Sequence, residues 1–219
     1  MNVKSIIQKN HLNKITPKTP NNVSVLEVFP TPIIKFKFLK HEKYFFIDVP
    51  KCEDRTPKGW NCSVNSSYPF TGEKDPYVSD EVNKRLQRDL MKGIRDVFVN
   101  GGLPPVEFGA FWYNIYHEGQ DQERHDHVSA HSNTYLSGIY YNKNATPTTF
   151  YPPSTLYRSL RYRGVDDSLF SSACKDNYEA KVQDGDVILF PPYLEHEVKQ
   201  QTSDAMRMTF SFNLILLNS

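Results

Sequence analysis

From residue 105 onward the chain has no stretch with a helical pattern. It reads instead as short aromatic and β-branched runs cut by turns: "VEFGAFWYNIYH", "TYLSGIYYNK", "TTFYPP", "NYEAKV", "DVILFPP", "EHEVKQ" and "MRMTFSFNLILL". No helix separates one run from the next, so a parallel sheet built from strand–helix–strand units is excluded. Seven such strands in about 110 residues predict antiparallel sheets arranged as a sandwich or jelly-roll. The many aromatics, 14 Phe, 13 Tyr and 2 Trp, gather mostly in the same runs, which suits sheet rather than helix bundle.

The one clear helix lies earlier, in "SDEVNKRLQRDLMKGIRDVFVNGG". Ser79 or Asp80 can cap it, Asp80 and Glu81 suit the positive end of its dipole, and Asn100-Gly101-Gly102 stops it. Val82, Leu86, Leu90, Ile94 and Val97 recur at helical spacing and form one apolar stripe with a charged back, as for a helix packed on a sheet. Residues 1–23 are polar and end in the breaker cluster "TPKTPNN", so they are expected to form a loose N-terminal arm. Residues 24–219 then form a single domain, with its β core at about 105–219 and a long insert at 152–177. "VSVLEVFPTPIIKFKF" supplies two strand-like pieces around Pro30 and Pro32, and in the turn-rich 50–76 stretch Trp60 and Phe70 are expected to plug into a core.

Charge points to no particular partner. With 26 Lys plus Arg against 25 Asp plus Glu, there is no overall field that favours nucleic acid or an acidic membrane surface. No apolar run approaches a membrane span, and the basic N-terminus lacks the apolar core of a signal peptide. Cys52, Cys62 and Cys174 match no zinc spacing and read as free thiols in a reducing compartment, with a Cys52–Cys62 bridge as the alternative. The expectation is a soluble, cytoplasmic protein. Its oligomeric state stays open, with a homodimer among the options.

Three features carry potential chemistry. In "ERHDHVSAHSN", strand parity would turn His125 and His127 to one side and Asp126 to the other, with His131 in the following loop. Two imidazoles so related can reach one metal ion, and they can equally be a surface pair. His196 follows the Pro191-Pro192 corner, which would place it reproducibly, although an ordinary loop histidine fits as well. In "MRMTFSFNLIL", alternation puts Arg207, Thr209, Ser211 and Asn213 on one face against an apolar Met206, Met208, Phe210, Phe212 and Leu214 face. That polar face is either exposed to solvent or lines a polar cavity that brings an anion to Arg207, because an unpaired buried cation is costly.

Together these features resemble the iron(II)/2-oxoglutarate-dependent dioxygenases. "IYHEGQDQERHDH", "SGIYYNK" and "HEV" followed by an Arg look like prolyl 4-hydroxylase-type enzymes. A group of 2OG-Fe(II) oxygenases from bacteria and their phages is closer. Its motifs are matched here by Phe29–Pro32, Trp112-Tyr113-Asn114, His125-Asp126-His127, Ser137–Tyr141, Gly185–Pro191, Leu194-Glu195-His196 and Arg207–Asn213. The resemblance runs from about residue 25 onward and is weakest in 50–100 and 152–177. It implies a mainly β fold, the double-stranded β-helix of jelly-roll and cupin-like proteins, with the N-terminal helix packed on the sheet. It also implies Fe(II) and 2-oxoglutarate as cofactors, O2 as co-substrate, and a hydroxylase that couples decarboxylation to succinate with oxidation of a substrate C–H bond.

The resemblance assigns residues as well. His125, His127 and His196 would bind the metal. Arg207 would pair with the distal carboxylate of 2-oxoglutarate, Tyr141 would donate its hydroxyl to the same group, and Tyr116, Asn114 and Thr209 would line that pocket. Tyr140 and Tyr141 should alternate, one packed and one in the cavity. Prolyl hydroxylase-like enzymes carry an acid where this chain has His127. Charge permits the change, since Fe(II), dianionic 2-oxoglutarate and three neutral imidazoles sum to zero, and imidazole also admits zinc, nickel or copper. Three arrangements follow: His127 as third ligand, a bulge that turns Asp126 inward as the alternative, or water in the third position. The closer group's H-x-H implies the first.

The substrate is a small molecule or a peptide on this reading. The insert carries Arg158, Arg161 and Arg163 beside Tyr157 and Tyr162 and could form a lid that recognises an acidic partner. Asp166, Asp167 and Asp176 offset that charge, so a solvated loop fits equally. Two other classes stand against the enzyme: a cupin-like metal- or ligand-binding module without turnover, and a structural virion component. Arg207 and Tyr141 discriminate, because a binding module has no use for a carboxylate clamp.

Overall fold

A computed structural model describes residues 31–45, 55–68, 78–129, 133–153 and 177–217. The first proline-flanked strand piece, Phe29, Phe70, His131, Cys52, Cys174 and the arginines of the insert lie outside the described residues, as does the N-terminal arm. No helix among the described residues is long and apolar enough to cross a membrane.

The elements in chain order are strand β1 (Ile34–Lys37), a short 3-10 turn at His41–Lys43, β2 (Asn65–Ser66), helix α1 (Asp80–Gly101), β3 (Val106–Tyr116), β4 (Gln122–His125), β5 (Leu136–Lys143), β6 (Thr149–Phe150), β7 (Tyr178–Glu179), β8 (Asp186–Phe190), β9 (His196–Val198) and β10 (Arg207–Leu216). A six-stranded sheet has the order β1-β8-β5-β10-β3-β2, and a four-stranded sheet has the order β4-β9-β6-β7. Every strand pair is antiparallel. The seven strands expected after residue 105 are present, although "TTFYPP" and "NYEAKV" contribute only the two residues each of β6 and β7.

Helix α1 ends as its sequence dictates. The Ser79 side chain accepts from the Val82 N–H, and Gly102 closes the helix in the left-handed conformation at φ 68°. Its buried residues are Leu86, Leu90, Met91, Ile94 and Phe98. Phe98 rather than Val97 takes the last core position, because it stands four residues from Ile94 and so directly over it on the same face.

Period-two alternation divides the large sheet between two cores. Tyr140 of β5, Val187 and Leu189 of β8, and Met208, Phe210, Phe212 and Leu214 of β10 pack with α1. Their neighbours Ile139, Tyr141, Ile188 and Phe190 face the other way and pack with Phe150, Ala180 and Leu194 beside the small sheet. Tyr140 and Tyr141 therefore do alternate, and both are fully buried. The Tyr140 hydroxyl meets His41 Nδ1 at 2.7 Å on the helix side. A third cluster joins Val64, Tyr116 and Val198, with Trp60 packed against it. Cys62 is a free thiol, pushed up to about 12 by burial and by its bond to Glu123, so it is not a reactive thiolate.

Gly138 marks the tightest point of this packing. It lies opposite Phe212 on one side and Leu189 on the other. A Cβ there would sit 2.2 Å from the Phe212 ring and 2.9 Å from Leu189. Gly138→Ala should lower stability by about 1–3 kcal/mol through overpacking, read as a lower urea midpoint with an unchanged slope.

Candidate metal centre

The two sheets bring three histidines together from three places in the sequence. β4 pairs with β9 so that His125 stands directly opposite His196. β9 also pairs with β6, which sets Phe150 beside His196 on its other flank. Leu194 N donates to Pro191 O at 3.0 Å, forming the turn that delivers His196. His127 lies two residues beyond the end of β4, and its backbone N–H donates to Pro192 O at 2.9 Å. The proline corner thus fixes both sides of the cluster. Ring centroids are 4.3 Å apart for His125–His196, 5.1 Å for His127–His196 and 5.4 Å for His125–His127. One ligand atom from each lies within 4.8 Å of the others.

Each ring is held by its Nδ1. His125 Nδ1 donates to Glu123 O at 2.8 Å, and His196 Nδ1 donates to Leu194 O at 3.0 Å. Both therefore use the carbonyl two residues back along the chain. His127 Nδ1–H lies between Asn213 Oδ1 at 2.8 Å and Ser137 Oγ at 2.7 Å, and the Ser137 hydroxyl donates to Asn213 Oδ1 at 3.1 Å. A proton fixed on Nδ1 leaves the lone pair on Nε2, the tautomer a metal ligand needs. Burial, reinforced by neighbouring imidazoles, pushes His127 down to about 4 and holds His196 well below the ordinary value. Both rings are neutral at physiological pH.

Asp126 is exposed and points away, its Oδ1 accepting from Val128 N at 2.9 Å. The β4–β9 register is irregular between Gln122 and His125, ahead of the histidine pair, so parity is kept from His125 to His127. On the outer side of the same strands Arg124 pairs with Glu195, with Nε–Oε2 at 3.1 Å, and its guanidinium lies 3.9 Å over the Tyr151 ring. This contact ties β4 to β9 one residue from His125 and one from His196.

Arg207, the first residue of β10, has no exposed surface, and none of its three guanidinium nitrogens has a hydrogen-bond partner among the described residues. It lies 4.7 Å over the Tyr116 ring and 5.8 Å from the Tyr141 ring. It shares one narrow cavity with the three histidines, Thr209 and Ser211 from its own strand, and Tyr116. Burial raises the hydroxyl pKa of both tyrosines, to about 12 for Tyr141, so each is a neutral donor. The Tyr116 hydroxyl donates to Gln122 Oε1 at 2.7 Å, while Tyr141 pairs with Thr148 Oγ1 at 2.7 Å.

Of the residues picked out in the sequence, His125, His127, His196, Arg207, Tyr116 and Thr209 line the cavity together. Tyr141 and Asn114 sit just behind it: Asn114 Nδ2 donates to Ser211 Oγ at 3.3 Å, and its Oδ1 accepts from Ser66 Oγ at 2.7 Å. Gln122, Trp112, Ser137 and Asn213 belong to the site or hold it and were not singled out as site residues beforehand. The parity of β10 was a usable signal for Asn213, which shares a face with Arg207. The Ser137 contact depends on β5 lying beside β10.

Residues 110–213 match the family model described as "Putative 2OG-Fe(II) oxygenase". No curated protein matches the sequence. Among solved structures, HygX from Streptomyces hygroscopicus with nickel, 2-oxoglutarate and hygromycin B bound is similar at a TM-score of 0.52 and 14% identity, over 85% of this chain and 83% of that one. HygX with nickel and 2-oxoglutarate alone gives 0.51 and 15% over the same shares. A prolyl-4-hydroxylase from Pseudomonas putida gives 0.49 and 10%, over 86% and 94%. At such identities the HygX likeness shows the fold, the double-stranded β-helix. The stretch 110–213, which holds all three histidines and Arg207, is what resembles the 2OG-Fe(II) oxygenase family.

Proposed function

We propose that His125, His127 and His196 bind the iron of a 2-oxoglutarate-dependent hydroxylase and that Arg207 anchors the distal carboxylate of 2-oxoglutarate. The observation that carries this reading is the buried, unpartnered Arg207 in one cavity with three histidines whose ligand atoms converge. A buried cation left unpaired costs several kcal/mol, and a carboxylate ligand removes that cost while forming a charge-assisted, bidentate pair. The donor set fits the metal as well, with three imidazoles whose Nδ1 protons are already committed.

When bound, iron and 2-oxoglutarate supply the oxidation of a substrate C–H bond by O2, with release of succinate and CO2. The chain's own part is orientation and exclusion of water. Asn213 and Ser137 hold the His127 ring, and Phe150 and Phe190 pack around His196 with ring centroids 5.9 and 4.8 Å away. Tyr116 gives Arg207 an aromatic face, and Trp112, 5.9 Å from the His127 ring, forms the next wall of the cavity. The substrate is a small molecule or peptide. A cytoplasmic setting, in which Cys62 stays a thiol and 2-oxoglutarate is at hand, suits this reading.

Anaerobic addition of Fe(II) and 2-oxoglutarate should produce a metal-to-ligand charge-transfer band, and Arg207→Ala should lose it at concentrations that saturate the wild type. A band unchanged in Arg207→Ala would remove the carboxylate assignment; no band in the wild type would remove the function. Metal content should fall to background in His127→Ala and persist in Asp126→Ala, while Asn213→Ala should weaken metal binding about 10- to 100-fold by freeing the ring. The opposite pattern in the first two variants would reassign the third ligand.

Stability of the metal-free protein should also depend on pH. Unfolded histidines take a proton below about pH 6.5, whereas folded His127 does so only near 4. Between those values the unfolded state holds more protons, so stability falls as pH falls. The urea midpoint should therefore drop steadily from pH 7 to pH 4.5, and the drop should shrink in His127→Ala.

A further inference from the structure

Five aromatic rings form a closed circuit at the histidine cluster. Trp60 lies along His125, with ring centroids 6.4 Å apart and planes 25° apart, and His125 lies along His127. Trp112 meets His127 at 5.9 Å, Tyr68 meets Trp112 at 5.0 Å, and Trp60 closes the circuit on Tyr68 at 5.8 Å. The circuit runs from a solvent-facing ring, Tyr68 at 41% exposed, to Trp112 at 7%. Trp60 and Tyr68 precede helix α1 and stand outside residues 110–213, so this wall is not part of the stretch shared with the oxygenases.

Trp112 lines the same cavity as the histidines and Arg207, yet its buried Nε1–H has no hydrogen-bond partner among the described residues. A buried indole N–H ordinarily finds an acceptor, and leaving it bare is costly. A group that fills this side of the cavity must therefore bring an acceptor. Charge narrows its class. Once a carboxylate has met Arg207, the described lining residues hold no further fixed charge to pair with. An anion entering past Trp60 meets Asp121 and Glu123, which accept from Ser63 N and Asn61 N and have no ion-pair partner among the described residues. A cation would be repelled by a metal held on His125 and His127. Shape narrows the class again. A flat base stacks between parallel faces, whereas Trp112 is tilted 56° from Tyr68 and 45° from His127, which leaves room for a puckered ring.

We propose that Trp60, Tyr68 and Trp112 form a subsite for a neutral sugar ring, the substrate class of this centre. A sugar brings both features at once. Its C–H bonds, made partly positive by the neighbouring oxygens, suit the negative faces of the aromatic rings, and its hydroxyl and ring oxygens are acceptors for the Trp112 N–H. The inference rests on the metal-centre reading of the preceding subsection, and it names the substrate class which that reading leaves open.

Trp60 and Trp112 are the chain's two tryptophans, so its intrinsic fluorescence reports on the subsite directly. The full-length protein with Zn(II) and 2-oxoglutarate should be titrated with a panel of methyl glycosides, and separately with uridine, acetylprolinamide and tetramethylammonium. At least one glycoside should give a saturable change, and the other three compounds none. Tyr68→Ala should raise that glycoside's midpoint about 3- to 10-fold, and Tyr68→Phe, which keeps the ring, should restore it. Trp112→Phe keeps a ring but removes the N–H, and should raise the midpoint about 2- to 10-fold, followed through Trp60. No saturable change with any glycoside would overturn the inference, as would saturation by one of the other three compounds instead. Wild-type midpoints in both Tyr68→Ala and Trp112→Phe would overturn it too. The charge-transfer band keeps the two readings apart: a protein that shows the band and binds no glycoside loses only this subsite, whereas one without the band loses the function itself.

Discussion

Arg207 is the residue around which the rest of the site is arranged. A guanidinium with no exposed surface and no hydrogen-bond partner costs more than the aromatic faces of Tyr116 and Tyr141 return, since a cation–π contact contributes about 0.5–2 kcal/mol. Only a strongly held strand can keep it there. β10 pairs along its length with β3 on one side and β5 on the other, and its alternate residues Met208, Phe210, Phe212 and Leu214 are all buried against the helix side of the sheet. The apolar half of β10 thus anchors the polar half. Moving the strand by one residue would exchange the two faces and bury methionine and phenylalanine in the site.

The same strand reaches the histidine cluster without contributing a histidine to it. Asn213, six residues beyond Arg207 on the same face, holds His127 Nδ1 together with Ser137 of β5. His125 and His196 are instead set by carbonyls two residues back along the chain and by their register in the small sheet. The cluster therefore spans the gap between the two sheets, with His127 tied to the large sheet by side chains and to the proline corner by its backbone. The position of each ring depends on both sheets being in place, which makes the site a product of the whole fold rather than of one loop.

Much of this was legible in the sequence because strands carry a parity that can be read locally. Alternation alone separated His125 and His127 from Asp126, Tyr140 from Tyr141, and Arg207 from the core residues on either side of it. Parity even held past the last paired residue of β4, where the chain has left the ladder but remains extended enough to turn Asp126 outward. What parity does not carry is which strands lie side by side. Ser137 and Asn213 are 76 residues apart and meet only because β5 and β10 are neighbours with those two residues in register. The Gln122 contact to Tyr116 was hidden for a different reason: the β4 irregularity shifts the register next to it. In the helix, Val97 and Phe98 both fit a helical stripe, and the larger side chain, standing over Ile94, takes the core position.

The absence of acid among the described lining residues also bears on what the site can hold tightly. A carboxylate at position 127 would satisfy part of the charge of a bound metal, and one at position 213 would pull on the Nδ1 proton of His127 and make that ring a stronger donor. The chain has an imidazole at the first position and an amide at the second, so orientation is provided without charge. Burial then keeps His127 and His196 neutral at physiological pH, and among the described lining residues the only fixed charge is that of Arg207. Such a cavity selects for anions by default.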